Sequence, residues 1–190
     1  MTLQRILPFT RTLLDAVLTK GDIAIDGTCG NGHDTLYLAE SVSETGKVYG
    51  FDIQKEALES THKRLEEAGQ TAQVTLFHRS HATINDVMDT DEKGKVAAAI
   101  FNLGYLPGGD KSIVTNPGET LQAVTRILDL LRSDGLLILV VYPGHPEGKI
   151  ESKLVTEFTS QLNQSHYQVL KYQFINQVNE PPYILAISKK

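Results

Sequence analysis

The chain alternates short apolar runs with longer segments in which apolar residues recur every three or four positions. Five runs have the length and composition of buried strands, at 23–26, 47–52, 73–77, 96–101 and 136–142. Segments with helical spacing are predicted over 5–19, 33–41, 54–68, from 116 to about 131, and 147–162. Regular alternation of strands and helices predicts a parallel sheet that is covered by helices on both faces.

The last two predicted strands, 167–175 and 183–188, are separated by only a short polar turn that contains proline. This spacing predicts an antiparallel pair at the end of the sheet. Strand 96–101 is almost wholly apolar, which places it at the centre. The pattern therefore predicts one α/β domain over residues 1–190, with a Rossmann-like, mostly parallel seven-stranded sheet, the layout of the class I methyltransferases.

A glycine-rich turn follows the first strand and leads into a helix. Asp26 ends the strand, and Gly30 and Gly32 follow in the frame Asp-x-x-x-Gly-x-Gly. A dinucleotide site would have Gly-x-Gly-x-x-Gly at this place. The frame instead resembles the first motif of the S-adenosylmethionine (SAM) methyltransferases, with Thr28 where many of them have a third glycine. An ordinary strand-to-helix turn is the alternative.

An acidic residue, Asp52, ends the second strand, 20 positions after Gly32. In nucleoside-binding sheets a carboxylate at this place accepts the ribose hydroxyls; a cap on the next helix is the alternative. Ser80 or His81 follows the third strand, where a methyltransferase forms a hydrogen bond with adenine. The alternative for His81 is a solvent-exposed turn residue. The predicted cofactor contacts are Asp26, Thr28, Gly30, Asn31, Gly32, Asp34, Thr35, Asp52, Ile53, Gln54, Ser80 and His81.

The fourth strand ends in Asn102-Leu103-Gly104-Tyr105. This resembles the Asn-Pro-Pro-Tyr loop of enzymes that methylate exocyclic amino groups, in which carbonyl oxygens orient the attacking nitrogen. We predict that Asn102 and Tyr105 position the nitrogen and that His145, after the fifth strand, is a base. A capping role for Asn102 and a bystander role for His145 are the alternatives. The predicted substrate contacts are Gly104, Gly108, Tyr142, Pro143 and Tyr183.

Four motifs, at 26–35, 102–110, 142–145 and 181–183, occur in this order. Jointly they resemble the small rRNA-methylase family over nearly the whole chain. One branch of that family methylates the 5-aminomethyl group of the wobble (position 34) 2-thiouridine of tRNA. The resemblance implies a SAM-dependent N-methyltransferase that uses S-adenosyl-L-methionine and binds the anticodon region of tRNA. The residues alone indicate only an amino-group methyltransferase.

Three other functions stay open on the sequence. The start Asp-Gly-Thr-x-Gly-x-Gly also resembles the rRNA cytidine-N4 methyltransferases, which act on a different base amino group. A small-molecule amine methyltransferase would fit the acidic composition. A non-catalytic SAM-binding regulator would require that the exit loop of the fourth strand is closed.

The net charge of the chain limits how it could bind RNA. Acidic residues outnumber basic ones by 23 to 18, for a net charge of −5, so RNA binding would need a local basic cluster. Its candidate members are Arg5, Arg11, Arg126, Arg132, Lys149, Lys153, Lys171, Lys189 and Lys190.

The single cysteine, Cys29, cannot form an internal disulfide, which indicates a reducing compartment. We interpret it as a small turn residue. No segment has the pattern of a signal sequence or of a membrane span, so the expected location is cytoplasmic. His78 and His81 have no cysteine or carboxylate in phase, so no metal is expected. A homodimer is one candidate assembly.

Overall fold

The computed structural model describes residues 2–104 and 115–190. Its strands are β1 Ile23–Asp26, β2 Lys47–Asp52, β3 Val74–His78, β4 Val96–Leu103, β5 Leu131–Val141, β6 Tyr167–Tyr172 and β7 Tyr183–Lys189. Its α-helices are α1 Ile6–Asp15, α2 His33–Val42, α3 Lys55–Glu67, α4 Pro117–Leu130 and α5 Pro146–Ser160. Two short 3-10 helices, His81–Asp86 and Thr90–Glu92, connect β3 to β4.

The seven strands form one sheet in the order β3-β2-β1-β4-β5-β7-β6. The first five are parallel, whereas β7 runs antiparallel to both β5 and β6. The predicted sheet, its central strand and its closing antiparallel pair are therefore confirmed. The 3-10 helices were not predicted, because residues 81–92 have no periodic apolar pattern.

Apolar side chains pack on both faces of the sheet. Helices α4 and α5 cover the face that carries Ile25, Phe51 and Phe101. Helices α1, α2 and α3 cover the opposite face, which carries Ala24 and Val48. Neighbouring residues of one strand point to opposite faces, so a strand buried on both sides has to be apolar throughout, as β4 nearly is.

Contacts between distant parts of the chain hold α1 on the sheet. The Tyr172 hydroxyl donates to the backbone carbonyl of Gln4 at 2.8 Å, across 168 positions of sequence. The rings of Phe9 and Tyr172 lie 4.2 Å apart between centroids. Helix α1, at the start of the chain, is thus fixed by β6, near its end.

The parallel register brings polar strand ends to one edge of the sheet, which we call the ligand edge. Asp26 aligns with Gly50 on one side and with Ile100 on the other. Asp52 and Asn102 come two positions later on those neighbouring strands, so the three polar side chains end at the same edge.

Two of the predicted basic residues, Arg132 and Lys189, make contacts within the fold. Arg132, at the start of β5, pairs with Asp22 at 2.6 Å, at the edge opposite the ligand edge. Lys189 donates there to the carbonyls of Leu128 and Leu131, at 2.9 and 2.8 Å. The hypothesis of a single basic cluster is therefore wrong for Arg132 and Lys189, which stabilise the fold.

Candidate active site

A cavity of about 970 Å³ opens along the ligand edge. It brings together most of the predicted site residues, namely Thr28, Gly30, Asn31, Asp34, Asp52, Ile53, Gln54, Ser80, His81, Asn102, Gly104, Tyr142 and His145. Tyr105 and Gly108 lie outside the described residues. The predicted cofactor residues and the predicted transfer residues thus share one space.

Other predicted residues lie behind the cavity wall. Asp26 is fully buried under the glycine-rich turn, where it accepts the Thr28 N–H at 3.1 Å and the Thr35 hydroxyl at 2.6 Å. Gly32 precedes α2 with φ of 77°, a conformation that favours glycine. These three residues, Asp26, Gly32 and Thr35, shape the turn.

Two predicted substrate contacts also lie outside the wall. The Tyr183 ring is buried, and its hydroxyl lies 2.9 Å from the hydroxyls of both Ser152 and Thr156 on α5. Pro143 lies between two wall residues, Tyr142 and Gly144, but is not itself part of the wall.

The Asp52 carboxylate connects the glycine-rich turn to the next helix. Its Oδ2 accepts the Gly30 N–H at 2.9 Å, and its Oδ1 accepts the Gln54 N–H at 2.9 Å, just before α3. A carboxylate can accept about four hydrogen bonds, so both oxygens retain acceptor capacity toward the cavity. The helix-start role and a ligand role are therefore compatible.

His81 is a buried part of the wall, with 7% of its surface exposed, so its interpretation as a solvent-exposed turn residue is wrong. Its Nδ1 lies 3.0 Å from the carbonyl of Gly27 and must carry the proton, since a carbonyl only accepts. Burial lowers the pKa of His81, which favours the neutral ring. Nε2 is then an acceptor, and it has no partner among the described residues.

Gly27 permits this close packing. The His81 ring contacts Phe101 edge-on, with centroids 5.2 Å apart, and a Cβ at position 27 would overlap the Phe101 ring. Only glycine fits between the turn and the aromatic side chain.

Asn102 is held by two hydrogen bonds at the end of β4. Its backbone N–H donates to Thr28 Oγ1, and its Nδ2 donates to Asp34 Oδ2, both at 2.7 Å. Because a carboxylate accepts only, the amide nitrogen faces Asp34 and the amide oxygen points away from it. The other carboxylate oxygen of Asp34 pairs with Arg11 Nη2 at 2.7 Å.

Tyr142 and His145 follow β5. A Cβ on Gly104 would lie 3.6 Å from the Tyr142 side chain. Burial raises the pKa of Tyr142 and the charge of Asp34 adds to the shift, so the phenol stays protonated. His145 caps α5, since its Nδ1 accepts the Gly148 N–H at 3.0 Å. A neutral ring with this bond carries its proton on Nε2.

Several wall residues were not predicted, among them Leu7, Arg79, Glu119 and the segment 179–182. The Ser80 hydroxyl donates to Glu119 at 2.5 Å, which joins the exit of β3 to the first turn of α4. Arg11 was noted only as one basic residue among nine. Nothing in the local pattern of α1 indicates that it reaches the ligand edge.

A buried carboxylate of α5 joins that helix to the start of α4 and to the residue Thr115 before it. Glu151 of α5 accepts the Thr115 hydroxyl at 2.5 Å and the Thr120 hydroxyl at 2.7 Å. The Thr115 N–H in turn donates to the Gly104 carbonyl at 3.1 Å. Glu151 thus holds Thr115, a cavity residue, beside the end of β4.

Within residues 2–104 and 115–190, no group of three or more His, Cys, Asp or Glu side chains could hold a metal ion. No helix in the same ranges is long and apolar enough to cross a membrane.

Sequence comparison identifies relatives of this chain. The model of the family described as "Putative rRNA methylase" matches residues 48–188. A chloroplastic tRNA (mnm(5)s(2)U34)-methyltransferase of Arabidopsis thaliana is 39% identical over 184 residues, which are 93% of this chain and 66% of that relative. The chain thus spans about two thirds of the length of this curated relative.

Solved structures resemble the chain over its full length. A protein of Clostridium thermocellum described as a "putative rRNA-methylase" has a TM-score of 0.96 and 38% identity, with 100% of each chain covered. A "putative methyltransferase" of Streptococcus mutans, solved with S-adenosylhomocysteine, has a TM-score of 0.90 and 39% identity, again with 100% of each chain covered.

The chain has the fold of the class I SAM-dependent methyltransferases, as predicted. Within that class, the chain belongs to the family described as "Putative rRNA methylase". The resemblance noted in the sequence is therefore confirmed at the level of the family.

Proposed function

We propose that the protein is a SAM-dependent tRNA methyltransferase that methylates the 5-aminomethyl nitrogen of the wobble (position 34) 2-thiouridine, giving 5-methylaminomethyl-2-thiouridine. The observation that carries the proposal is the orientation of the Asn102 amide, whose oxygen is turned away from Asp34 in the cavity that Asp52 also lines. The name of the Arabidopsis relative supports the choice of substrate.

The residues of the cavity fit SAM. The free acceptor capacity of Asp52 suits two ribose hydroxyls, and Ile53, half exposed beside it, offers an apolar surface to a base. The unpaired Nε2 of His81 is the kind of acceptor that an adenine amino group would satisfy. When bound, SAM would supply a methyl group on a positively charged sulfur, and the carboxylates of Asp34 and Asp52 line the same cavity.

The protein has two tasks in the transfer. The attacking nitrogen must present its lone pair in line with the methyl carbon, and it must lose one proton. The Asn102 oxygen can accept an N–H of the amine and so set the direction of the lone pair. An aliphatic amine is mostly protonated at neutral pH, so only the neutral fraction attacks.

Two roles compete for His145. A base needs a free lone pair at Nε2, whereas the cap on α5 leaves the proton of a neutral ring on that atom. Accepting a second proton at Nδ1 would break the bond to the Gly148 N–H. Capping and proton removal therefore exclude one another, and the predicted base role has to compete with the observed bond.

A second candidate is methylation of a base amino group of rRNA, such as the N4 of cytidine. The description of the family, which names rRNA, favours it. Asn102 would act in the same manner, since a base amino group also needs an oriented nitrogen. The two candidates differ in the RNA that enters the cavity and in the attacking nitrogen, which is an aliphatic amine in the first and a base amino group in the second.

Nucleoside mass spectrometry of tRNA and rRNA from a deletion strain tests the proposal. We expect the 5-aminomethyl form of wobble 2-thiouridine to accumulate in tRNA while rRNA nucleosides are unchanged. The wild-type gene should restore the methylated nucleoside, and an Asn102→Ala gene should not. Loss of a methylated rRNA nucleoside would favour the second candidate. If neither RNA changes, a small-molecule substrate or a non-catalytic role would be favoured.

A further inference from the structure

We propose that Arg11 is a positioning residue for methyl transfer, which orients the Asn102 amide through Asp34. This inference rests on the proposed role of Asn102. Neither the predicted cofactor residues nor the predicted transfer residues include Arg11.

The Asp34 carboxylate is shared between the two side chains. Its Oδ1 lies 2.7 Å from Arg11 Nη2, and its Oδ2 accepts from Asn102 Nδ2 at 2.7 Å. The Asp34 side chain is 14% exposed and that of Arg11 is 28% exposed. Each carboxylate oxygen has a different partner, so a rotation that breaks one bond also disturbs the other.

Arg11 is itself fixed on the side away from Asp34. Its guanidinium lies over the Tyr37 ring, 4.0 Å from the centroid, and Nη2 also donates to the His33 carbonyl at 3.2 Å. A planar guanidinium can stack on a ring and hold a carboxylate at once, whereas a lysine ammonium provides a single charge on a flexible chain. The geometry therefore requires an arginine, and another cationic side chain would not replace it.

Apart from Arg11, the Asp34 carboxylate bonds to Asn102, which is the residue that it has to orient. Asp26 is buried nearby, and its charge and that of Asp34 repel each other. Without Arg11, the Asp34 carboxylate can turn and Asn102 can reverse its amide. A reversed amide would present N–H groups to the substrate nitrogen, where the reaction needs an acceptor.

A simpler account is that Arg11 only fastens α1 to α2. A double-mutant cycle separates the two accounts, since residues that act through one another give non-additive effects. The cycle uses Arg11→Ala, Asn102→Ala and the double variant, and kcat is measured with saturating SAM and tRNA that lacks the methyl group. Lys63→Ala, on the exposed surface of α3, is the control.

We expect Arg11→Ala to lower kcat by about tenfold to a hundredfold, the scale of a misplaced reacting group. The SAM dissociation constant, from calorimetry, should stay within about twofold of the wild-type value, because Arg11 acts on the substrate side. Arg11→Lys should restore little of the rate. In the Asn102→Ala background, removal of Arg11 should have almost no further effect on kcat.

Two results would overturn the inference alone. One is that the kcat losses of the single variants multiply in the double variant; the other is that Arg11→Ala weakens SAM binding but has normal kcat at saturation. If Arg11→Ala does not fold, Asp34→Asn in the same cycle tests the same connection. A normal kcat for Asn102→Ala would overturn the proposed role of Asn102 and this inference with it.

Discussion

Thr28 Oγ1 accepts the backbone N–H of Asn102 at 2.7 Å. This bond joins the turn after β1, which carries several predicted cofactor contacts, to the end of β4, where the predicted transfer residues begin. Position 28 is also where the motif departs from the glycine of many methyltransferases. A glycine has no hydroxyl, so the departure adds a connection between the two parts of the site.

Replacing Thr28 with valine, which has the same shape, should leave the Asn102 N–H without an acceptor. We expect the free energy of unfolding to fall by about 1–3 kcal/mol, the cost of an unsatisfied buried donor, and kcat to fall as well. Urea unfolding and single-turnover rates measure the two effects. Thr28→Ser, which retains the hydroxyl, should resemble the wild type in both; a valine variant with wild-type stability and rate would contradict this prediction.

Removing the Asp52 carboxylate should weaken SAM binding. We expect Asp52→Ala to lose about 1.5–3 kcal/mol of binding free energy, the scale of a charge-assisted hydrogen bond, as measured by calorimetry. Glu59→Ala removes an exposed carboxylate from α3 and should bind SAM normally. An unchanged affinity in Asp52→Ala would leave Asp52 with only its bonds to Gly30 and Gln54.

Stability should depend on pH through Asp26. Burial raises the pKa of Asp26 from 3.8 to about 7, and the charge of Asp34 adds to the shift. The folded state therefore holds this proton more tightly than the unfolded state does. The stabilisation that this bound proton gives the folded state is complete below the pKa of Asp26 in the unfolded chain. It is lost as pH rises toward 7, and the loss is ~4 kcal/mol of unfolding free energy at most.

Asp26→Asn, which stays neutral, isolates this contribution. We expect the unfolding free energy of the wild type, relative to that of Asp26→Asn, to decrease between pH 5 and pH 8. Urea titrations at both pH values measure the difference. Parallel behaviour of the two proteins would show that the Asp26 proton is bound equally in the folded and unfolded states.

His145 variants can separate capping from proton removal. Asparagine is a good N-cap but a poor base, so His145→Asn should retain the stability of the wild type, while His145→Ala should lose about 1 kcal/mol. If the ring only caps α5, as its bond to Gly148 indicates, His145→Asn should also keep the rate of transfer at every pH. If the ring is a base, His145→Asn should instead have a lower rate of transfer, and the difference from the wild type should shrink as pH rises from 6.5 to 9.

In Asn102→Ala the rate of transfer should fall at every pH, and the shape of the pH profile should be unchanged.

Binding of tRNA should weaken steeply with salt despite the net charge of −5. Arg79, exposed at the cavity wall, is a candidate phosphate contact. We expect Arg79→Ala to reduce the slope of log affinity against log salt by about one and to leave SAM binding unchanged, whereas Lys63→Ala should alter neither. An affinity for tRNA that does not depend on salt would contradict RNA recognition through phosphates.

The sequence predicted what depends on local patterns. Apolar runs specified the strands, and their parallel order was enough to bring Asp26, Asp52 and Asn102 to one edge. The position of Arg11 could not be predicted, because it depends on how α1 packs against α2, which lies beyond β1 in the chain. The capping bond of His145 could not be predicted either, since a loop histidine gives no sign of which ring nitrogen is used.

The bond between Tyr172 and Gln4 also bears on the order in which the protein is completed during synthesis. A ribosome delivers α1 early and β6 late, so the contacts between α1 and β6 can form only when nearly the whole chain has emerged. Arg11 lies on that helix. Its contacts with His33, Asp34 and Tyr37 of α2 need only the first 42 residues of the chain. A nascent chain could therefore place Arg11 against α2 before the start of α1 is fixed against β6.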